Sequence, residues 1–296
     1  MYDFLRYYVD IVMKLSYRKI KYVGKEFIPK DGAIILAPNH TNALMDAMVV
    51  LGMDHGPKVF VARADIFRKP FLQKVFTFLK MLPIFRIRDG YAAVKQNEEI
   101  ISKCVKVLQH RIPLALFPEA THRPKHSLLP LSKGIFHIAL EANKNFGHEQ
   151  PIYIVPMGLE YGRYFRFRSG AVATFGEPIN VTEFVKKYEN EVTPAKLLAM
   201  LREELTQRMS KLIAYVPDTE DYDAQWELAK LITAQVQPVS TAARLPLNQA
   251  AIKHVVDKKA IAPAEDTATL YADAIAFKKE RRLHSIHPSS TGHKHP

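Results

Sequence analysis

The chain has 296 residues, of which 48% are hydrophobic, so it can bury a sizeable core as one large domain or as a domain with an appendage. Lysine and arginine total 42 against 30 acidic residues, and the net charge of +12 favours nucleic acid, an anionic membrane face or phosphorylated small molecules as partners. The single cysteine, Cys104, excludes a disulfide framework within the chain.

The first residues predict an amphipathic helix over 2–16, in which apolar residues such as Tyr8, Val12 and Leu15 recur at helical spacing. This segment has no small-residue cleavage site, so we expect no secretion. A basic, strand-like stretch, YRKIKYVGK, follows. No apolar run in the sequence reaches the roughly 18 to 20 residues that a membrane-spanning helix needs.

Short apolar runs separated by helical patterns come next. The runs predicted as strands are AIILA (33–37), VFVA (59–62), LALF (114–117), IYIVP (152–156) and AVATF (171–175). The helical patterns cover 42–51, 70–80, 91–109, 133–145 and 194–215. Continuous apolar strands that alternate with helices indicate an α/β fold, with a largely parallel or mixed sheet flanked by helices. Functional sites in such folds lie at the carboxyl ends of the strands.

The character of the chain changes after Pro217, where further helical patterns appear and no strand pattern returns. We therefore predict an amphipathic membrane-associating segment over 1–24 and an α/β domain over 25–216. A helical appendage is predicted over 217–284. The last residues, 285–296, have the composition of a disordered tail.

The stretch LAPNHTNALMD is the first candidate for a functional site, because a predicted strand runs into Pro38 and a helix follows. His40 and Asp46 suit a general base and the carboxylate that fixes its tautomer. The alternative is a helix-capping Asn39 beside a surface histidine and a solvated aspartate, a common arrangement.

Two further stretches carry polar and basic side chains. In LFPEATHRPK a strand ends at Phe117, and the loop after it contains Pro118, Glu119, Thr121, His122 and Arg123. This loop could hold an anion, or it could be a polar surface loop with a structural glutamate. In MLPIFRIRDG, Arg86 and Arg88 share a face if the segment is extended, and they could bind an anion or pair with Asp89.

Taken together and in this order, these stretches and the strand IYIVPMGLEY resemble the four motifs of the glycerolipid acyltransferase family, the lysophosphatidic-acid and glycerol-phosphate acyltransferases. The resemblance covers roughly residues 25–215. It implies that His40 is the general base and Asp46 its orienting partner. The residues that it assigns to substrate binding are Arg86, Arg88, Glu119, Thr121, His122 and Arg123. The residues that it assigns to the structure of the motifs are Asn39, Phe85, Phe117, Pro118 and Pro156.

The chain departs from the family pattern at three places. Five residues separate His40 from Asp46 where the family has four, and one extra residue turns a helical side chain by about 100°. The pair therefore works only if His40 precedes the helix or a bulge absorbs the insertion. Ala120 replaces a glycine, which requires that the backbone there needs no positive φ. His122 stands where the family has an arginine, and Arg123 follows it.

The resemblance implies direct transfer of a fatty acyl group from acyl-CoA or acyl carrier protein to a hydroxyl of a phosphorylated glycerol, in phospholipid biosynthesis. Lysophosphatidate is the expected acceptor, with glycerol 3-phosphate as the alternative, and neither a metal nor another cofactor is expected. The apolar and basic segment 69–85, unless it is a core helix, and the helix over 2–16 favour peripheral binding to the cytoplasmic face of an anionic membrane.

Three readings from other classes compete with an acyltransferase. A nucleic-acid binder would suit the net charge, but no binding motif is recognisable, so nucleic acid is not an expected partner. A membrane-binding protein without catalysis would suit the basic and apolar segments. A metal hydrolase would use His40, Asp46 and Glu119 as ligands, and the other histidines are scattered or lie in the tail.

Overall fold

The computed structural model describes residues 2–67, 74, 76, 80–85, 91–147, 149–162, 164, 167–234, 236 and 240–284, with the backbone alone at 2–6, 8–9 and 91–96. These residues divide into two compact units. The first unit runs to Pro124 and resumes over 129–212, and the second contains 125–128 and the residues from Ile213 onwards. The division thus comes a few residues before the predicted boundary at 216, and the second unit includes a short segment from the middle of the chain.

One mixed sheet organises the first unit. Its described strands are β1 (Tyr17–Val23), β2 (Ala33–Pro38), β3 (Val59–Arg63), β4 (Met81–Ile84), β5 (Leu114–Leu116), β6 (Ile152–Tyr161), β7 (Ser169–Phe175) and β8 (Ile179–Asn180). The strand order is β1-β7-β6-β2-β5-β3-β4, and β8 pairs with β6. Strands β2 to β6 run parallel to one another, whereas β7 is antiparallel to β6 and parallel to β1. The predicted α/β fold class is confirmed.

Helices pack around this sheet. The described helices of the first unit are α1 (Tyr2–Ser16), α2 (Leu44–Leu51), α3 (Tyr91–Gln109), α4 (Gly134–Phe146), α5 (Val181–Tyr188) and α6 (Pro194–Ser210). Helix α5 was not predicted, and its start is capped by the side chain of Asn180, which accepts a hydrogen bond from the Glu183 N–H at 3.1 Å. Helix α6 ends at Ser210 rather than at the predicted 215, and most of the helix predicted over 70–80 lies outside the described residues.

Strand β6 continues to Tyr161, whereas the sequence predicted its end at Pro156. Its second half pairs with β7, from Met157 opposite Phe175 to Tyr161 opposite Ala171. Gly158 interrupts the apolar pattern there because the chain passes close by: a Cβ at this position would lie 2.2 Å from the backbone oxygen of Leu212. Tertiary pairing therefore extends the strand beyond its local sequence signal.

The strand order brings two loops to one edge of the sheet. Strand β2 lies between β5 and β6, with Leu36 in register with Ala115 on one side and with Val155 on the other. Because β2 and β5 are parallel neighbours, the segments that follow Pro38 and Leu116 leave the sheet side by side. The buried residues of these strands are apolar and form the centre of the core.

The described part of the second unit is helical. Its described helices are α7 (Tyr222–Ala234), α8 (Thr241–Ile261) and α9 (Ala264–Leu283). The ring of His126, from the short mid-chain segment, lies against Trp226 with ring centroids 4.0 Å apart. The predicted tail over 285–296 lies outside the described residues. Among the helices described in either unit, none is both long and apolar enough to cross a membrane.

Candidate active site

His40 and Asp46 face each other at the carboxyl edge of the sheet. Nδ1 of the imidazole lies 2.9 Å from Oδ2 of the carboxylate. The His40 side chain is 17% exposed, and that of Asp46 is fully buried. Helix α2 begins at Leu44, so His40 precedes the helix and Asp46 lies in its first turn. This is one of the two arrangements that the longer spacing required.

A tight turn absorbs the additional residue. Ala43 has φ 47° and ψ −124°, and the N–H of Met45 donates to the carbonyl oxygen of Asn42 at 3.0 Å. These values correspond to the first central position of a type II′ turn, where glycine dominates. The chain therefore makes a compact turn before α2 begins, and this turn brings Asp46 back towards His40.

Four hydrogen bonds surround the Asp46 carboxylate. Besides His40, the N–H groups of Thr41 and Asn42 donate to Oδ2 at 2.8 and 2.7 Å, and the hydroxyl of Tyr161 lies 2.6 Å from Oδ1. Backbone N–H groups can only donate, so Oδ2 acts as a hydrogen-bond acceptor. Nδ1 must therefore carry the proton in its contact with Oδ2. The hydrogen-bond network thus assigns the ring proton to Nδ1, and Nε2 keeps the lone pair that a general base needs.

Asn39 joins the loop to the neighbouring strand. Its Nδ2 donates to the carbonyl oxygen of Leu159 at 3.2 Å, and its Oδ1 accepts from the N–H of the same residue at 2.6 Å. The buried side-chain amide thereby continues the pairing of β2 with β6 beyond the end of β2. Asn39 therefore fixes the start of the loop that contains His40 against β6.

Glu119 connects the two loops that leave the sheet side by side. Its Oε1 accepts from the N–H of His40 at 2.7 Å, and its Oε2 accepts from the N–H of Leu129 at 2.8 Å. Burial raises the pKa of this carboxyl above its usual value, and the two backbone donors oppose the rise. Both carboxylate oxygens therefore accept hydrogen bonds from backbone N–H groups. The contact of Glu119 with an acceptor stays a prediction.

The loop after β5 forms part of the surroundings of the imidazole. The ring of Phe117 stacks on His40 with centroids 4.2 Å apart, and the ring of His122 meets it edge-on at 5.4 Å. The N–H of Arg123 donates to the carbonyl oxygen of His40 at 3.3 Å. His122 and Thr121 are exposed, and Pro118 is buried. The structure thus brings this predicted stretch next to His40.

The backbone conformation of Ala120 differs from the one that we expected. We required that its backbone needs no positive φ, whereas its φ is 56°. The N–H of Ala120 donates to the carbonyl oxygen of Phe117 at 3.2 Å as the loop turns back after β5. An alanine in this left-handed conformation costs about 1 kcal/mol. A glycine, as in the family motif, would adopt this positive φ without strain, whereas Ala120 adopts it with some strain.

The structure describes some of the remaining predicted residues and not others. Arg86 and Arg88 lie outside the described residues. The backbone N–H and carbonyl of Phe85 bond to the side chain of Asn97 at 2.9 and 2.8 Å, and Pro156 lies buried in β6. Within the described parts of the chain, no group of three or more histidine, cysteine, aspartate or glutamate side chains is placed to hold a metal ion.

Three residues near Asp46 were missed by sequence reasoning. Tyr161 contacts its Oδ1, and Tyr17 lies beside Tyr161 with ring centroids 5.8 Å apart. The side-chain amide of Asn42 donates to the Tyr17 hydroxyl at 3.3 Å. The run IYIVPMGLEY contained a signal for Tyr161, since alternation places it on the face of Met157, but only if the strand continues beyond Pro156.

Comparisons with known proteins cover the segments that form this site. A model of the acyltransferase family matches residues 19–160, which include β2, α2 and the loop after β5. Glycerol-3-phosphate O-acyltransferase 1 of Saccharomyces cerevisiae is 28% identical over 158 residues, which are 53% of this chain and 20% of that protein. The 1-acyl-sn-glycerol-3-phosphate acyltransferase of Borreliella burgdorferi is 24% identical over 211 residues, 70% of this chain and 78% of that protein.

A crystal structure is also similar. The 1-acyl-sn-glycerophosphate acyltransferase of Thermotoga maritima matches with a TM-score of 0.45 and 21% identity, over 70% of this chain and 80% of that one. The chain spans about a fifth of the length of the yeast relatives that it matches. On the family match and the sequence relatives, residues 19–160 belong to the acyltransferase family.

Proposed function

We propose that the chain transfers a fatty acyl group from the thioester of acyl-CoA or acyl carrier protein to a hydroxyl of a phosphorylated glycerol. The observation that carries this proposal is the 2.9 Å contact of His40 Nδ1 with the buried carboxylate of Asp46. That contact places the ring lone pair on Nε2, in a side chain that is partly open to solvent. An imidazole held in this way is suited to remove a hydroxyl proton near neutral pH.

The proposed reaction has no covalent enzyme intermediate. Nε2 of His40 takes the proton of the acceptor hydroxyl as its oxygen attacks the thioester carbonyl carbon. The tetrahedral intermediate then collapses, the carbon–sulfur bond breaks, and the imidazolium returns its proton to the departing thiolate. Asp46 stabilises the imidazolium throughout, as a buried carboxylate does in other histidine-based acyl transfers.

Lysophosphatidate is the acceptor that we propose first. The Borreliella relative aligns over most of its own length, and its name gives 1-acyl-sn-glycerol-3-phosphate as the molecule that it acylates. Glycerol 3-phosphate is the second candidate, because the two yeast relatives are named for it. We propose Arg86, Arg88, His122 and Arg123 as the residues that bind the acceptor phosphate, with Thr121 and Glu119 beside them.

We propose further that the chain works at the cytoplasmic face of an anionic membrane, bound peripherally. Helix α1 exposes apolar side chains at Tyr7, Ile11, Val12 and Leu15, and the basic side chain of Lys14 lies among them. An amphipathic helix with this pattern can lie in the lipid interface with its basic residues near anionic head groups. A thioester acyl chain and a lysophospholipid would both be available at such a surface.

The deciding experiment offers purified protein each acceptor separately, with labelled acyl-CoA or labelled acyl carrier protein. We expect transfer to lysophosphatidate, and His40→Ala should lower the rate about 10²- to 10⁴-fold. His137→Ala is the matched control, since His137 is exposed on α4. The proposal fails if neither acceptor is acylated from either donor, or if folded His40→Ala protein keeps the wild-type rate.

A further inference from the structure

Asp46 is held from two sides by different parts of the chain. On one side, Oδ2 accepts from the imidazole of His40 and from the N–H groups of Thr41 and Asn42, which belong to the loop just before α2. On the other side, the hydroxyl of Tyr161 bonds to Oδ1 at 2.6 Å from a strand 115 residues away in sequence. This hydrogen bond is the long-range one among the four described at the carboxylate.

The sheet places Tyr161 at this point. Strand β2 ends at Pro38, which is in register with Met157 of β6, and β6 continues beyond it to Tyr161. Pairing of Tyr161 with Ala171 of β7 supports this projecting end. Side chains alternate along a strand, so Tyr161 shares the face of Met157, and both belong to the core cluster that contains Val49 of α2. Tyr161 thus arrives under the first turn of α2 on a paired strand rather than on a loose loop.

The Tyr161 hydroxyl acts as a hydrogen-bond donor. The residue is 5% exposed, and burial, followed by the charge of Asp46, raises its pKa well above 10. The phenol therefore keeps its proton at any pH where acyl transfer would be measured. Burial, with the Asp46 charge, also raises the pKa of the neighbouring Tyr17 to about 12, so that this second phenol is neutral as well.

We propose that Tyr161 is a positioning residue for the catalytic pair: its hydroxyl fixes the plane of the Asp46 carboxylate and draws negative charge towards Oδ1. This inference rests on the proposed function for its catalytic consequence, but its structural content concerns the enzyme alone. Tyr161 is 5% exposed and its hydroxyl bonds to Asp46, so it acts through Asp46 on the basicity of His40.

The charged and titratable groups around the pair define what a pH profile would report. Asp46 faces His40 from the first turn of α2, and Asp46 itself is faced by Tyr161 from β6 and Tyr17 from β1. His40 also faces groups from the loop after β5, which are Glu119, His122 and Arg123. A change at Tyr161 leaves this second set unchanged, so its effect on His40 passes through Asp46.

Removal of the hydroxyl has a predictable direction. In Tyr161→Phe the buried Oδ1 loses its donor, and negative charge concentrates on Oδ2, which faces the imidazole. The imidazolium is then stabilised more strongly, and the acid limb of the rate profile moves to higher pH. We expect kcat to fall about 10- to 100-fold, the range for losing one hydrogen bond to a charged group. KM for the acceptor should change little, because the buried Tyr161 side chain offers an acceptor almost no surface.

The experiment compares Tyr161→Phe with Tyr153→Phe. Tyr153 lies in the same strand, and its hydroxyl also bonds to a carboxylate, that of Asp31 at 3.2 Å, but at an exposed position at the other end of β6. For both variants we would measure kcat and KM against pH with lysophosphatidate and acyl-CoA. In the enzyme alone, ¹⁵N NMR would record the tautomer and titration of His40, whose signals are assigned by their loss in His40→Gln.

A shifted acid limb and a lower kcat in Tyr161→Phe, with neither in Tyr153→Phe, would support the proposal. Unchanged His40 titration in folded Tyr161→Phe would overturn it, even if the wild type proved to acylate neither acceptor. Failure of wild-type transfer alone would overturn the proposed function, and the NMR result would still decide the role of Tyr161.

A second variant covers the case in which Tyr161→Phe does not fold. Site-specific 3-fluorotyrosine at position 161 keeps the ring and hydroxyl but makes the hydroxyl a stronger donor. The acid limb and the His40 titration should then move to lower pH, opposite to the shift in Tyr161→Phe. No shift in a folded fluorotyrosine protein would overturn the proposal.

Discussion

Glu119 accepts a hydrogen bond from the backbone N–H of His40 at 2.7 Å, so the loop after β5 holds the backbone of the proposed base directly. The other carboxylate oxygen holds the N–H of Leu129. The glutamate therefore connects the start of its own loop, the end of that loop and the loop after β2. Its proposed contact with an acceptor would come in addition to this bracing role.

Glu119→Gln should lower both stability and activity. An amide has one acceptor oxygen, so the N–H of His40 or of Leu129 would lose its partner in a buried place. We expect the free energy of unfolding to fall by about 1–3 kcal/mol, the usual cost of a buried donor without an acceptor. Denaturant titration gives this value, with Glu141→Gln on the exposed face of α4 as the control. Equal stability of the two variants would contradict the bracing role.

Ala43→Gly should stabilise the protein. Ala43 has a positive φ in a conformation that glycine adopts readily, and relief of this strain outweighs the greater chain entropy of glycine. We expect the free energy of unfolding to rise by about 1 kcal/mol, with acyl transfer retained because the turn is kept. The measurement is again a denaturant midpoint.

Ala47→Gly is the matched control for this turn. Ala47 lies within α2, where glycine should lower the free energy of unfolding by about 1 kcal/mol. Two alanines four residues apart are thus expected to respond with opposite signs. A loss of stability in both variants would show that Ala43 does not carry the strain assigned to it.

Glu227 should make the second unit sensitive to acid. Although burial opposes ionisation of this fully buried side chain, hydrogen bonds from Lys230 and Arg281 lower its pKa below the usual value. A lowered pKa means that ionised Glu227 stabilises the fold above the ordinary glutamate pKa, about 4.3. This contribution is lost as the pH falls through the lower, folded-state pKa.

Glu227→Gln should therefore cost about 1.5–3 kcal/mol of unfolding free energy at neutral pH and should lose less on acidification. Trp226, the single tryptophan, lies in α7 and reports unfolding of this unit by fluorescence. Glu99→Gln, which breaks an exposed pair with Lys103, is the control and should leave the tryptophan transition in place. A Glu227→Gln protein as stable as wild type at pH 7 would refute the assignment.

Leu15→Glu should weaken binding to anionic vesicles. Leu15 is 55% exposed on α1, and placing a charge there removes apolar burial in the lipid interface and adds repulsion. We expect at least about a tenfold loss in vesicle partitioning, since burial of one leucine contributes about 1.5–3 kcal/mol. Flotation with neutral and anionic vesicles at two salt concentrations measures it.

Ile232→Glu is the control for the vesicle experiment. Ile232 is 47% exposed, but it lies on α7 in the second unit. Its substitution should leave flotation unchanged. Equal binding of Leu15→Glu and wild type, or equal losses in both variants, would contradict a membrane-binding role for α1.

The sequence by itself determined the architecture and the candidate pair. Continuous apolar runs such as 33–37 and 114–117 have few ways to be buried other than as inner strands of an α/β sheet, and the order of the motifs pointed to His40, Asp46 and Glu119. These signals are local, because each depends on side chains within a few positions along the chain.

Only the tertiary structure decided how the pair is held. The positive φ values of Ala43 and Ala120 follow from the paths that the loops must take between packed elements. An alanine in the sequence does not predict a positive φ. The contact of Tyr161 with Asp46 depends on β6 projecting beyond β2 and pairing with β7. Contacts between distant segments are set by packing and register, which no local pattern of residues specifies.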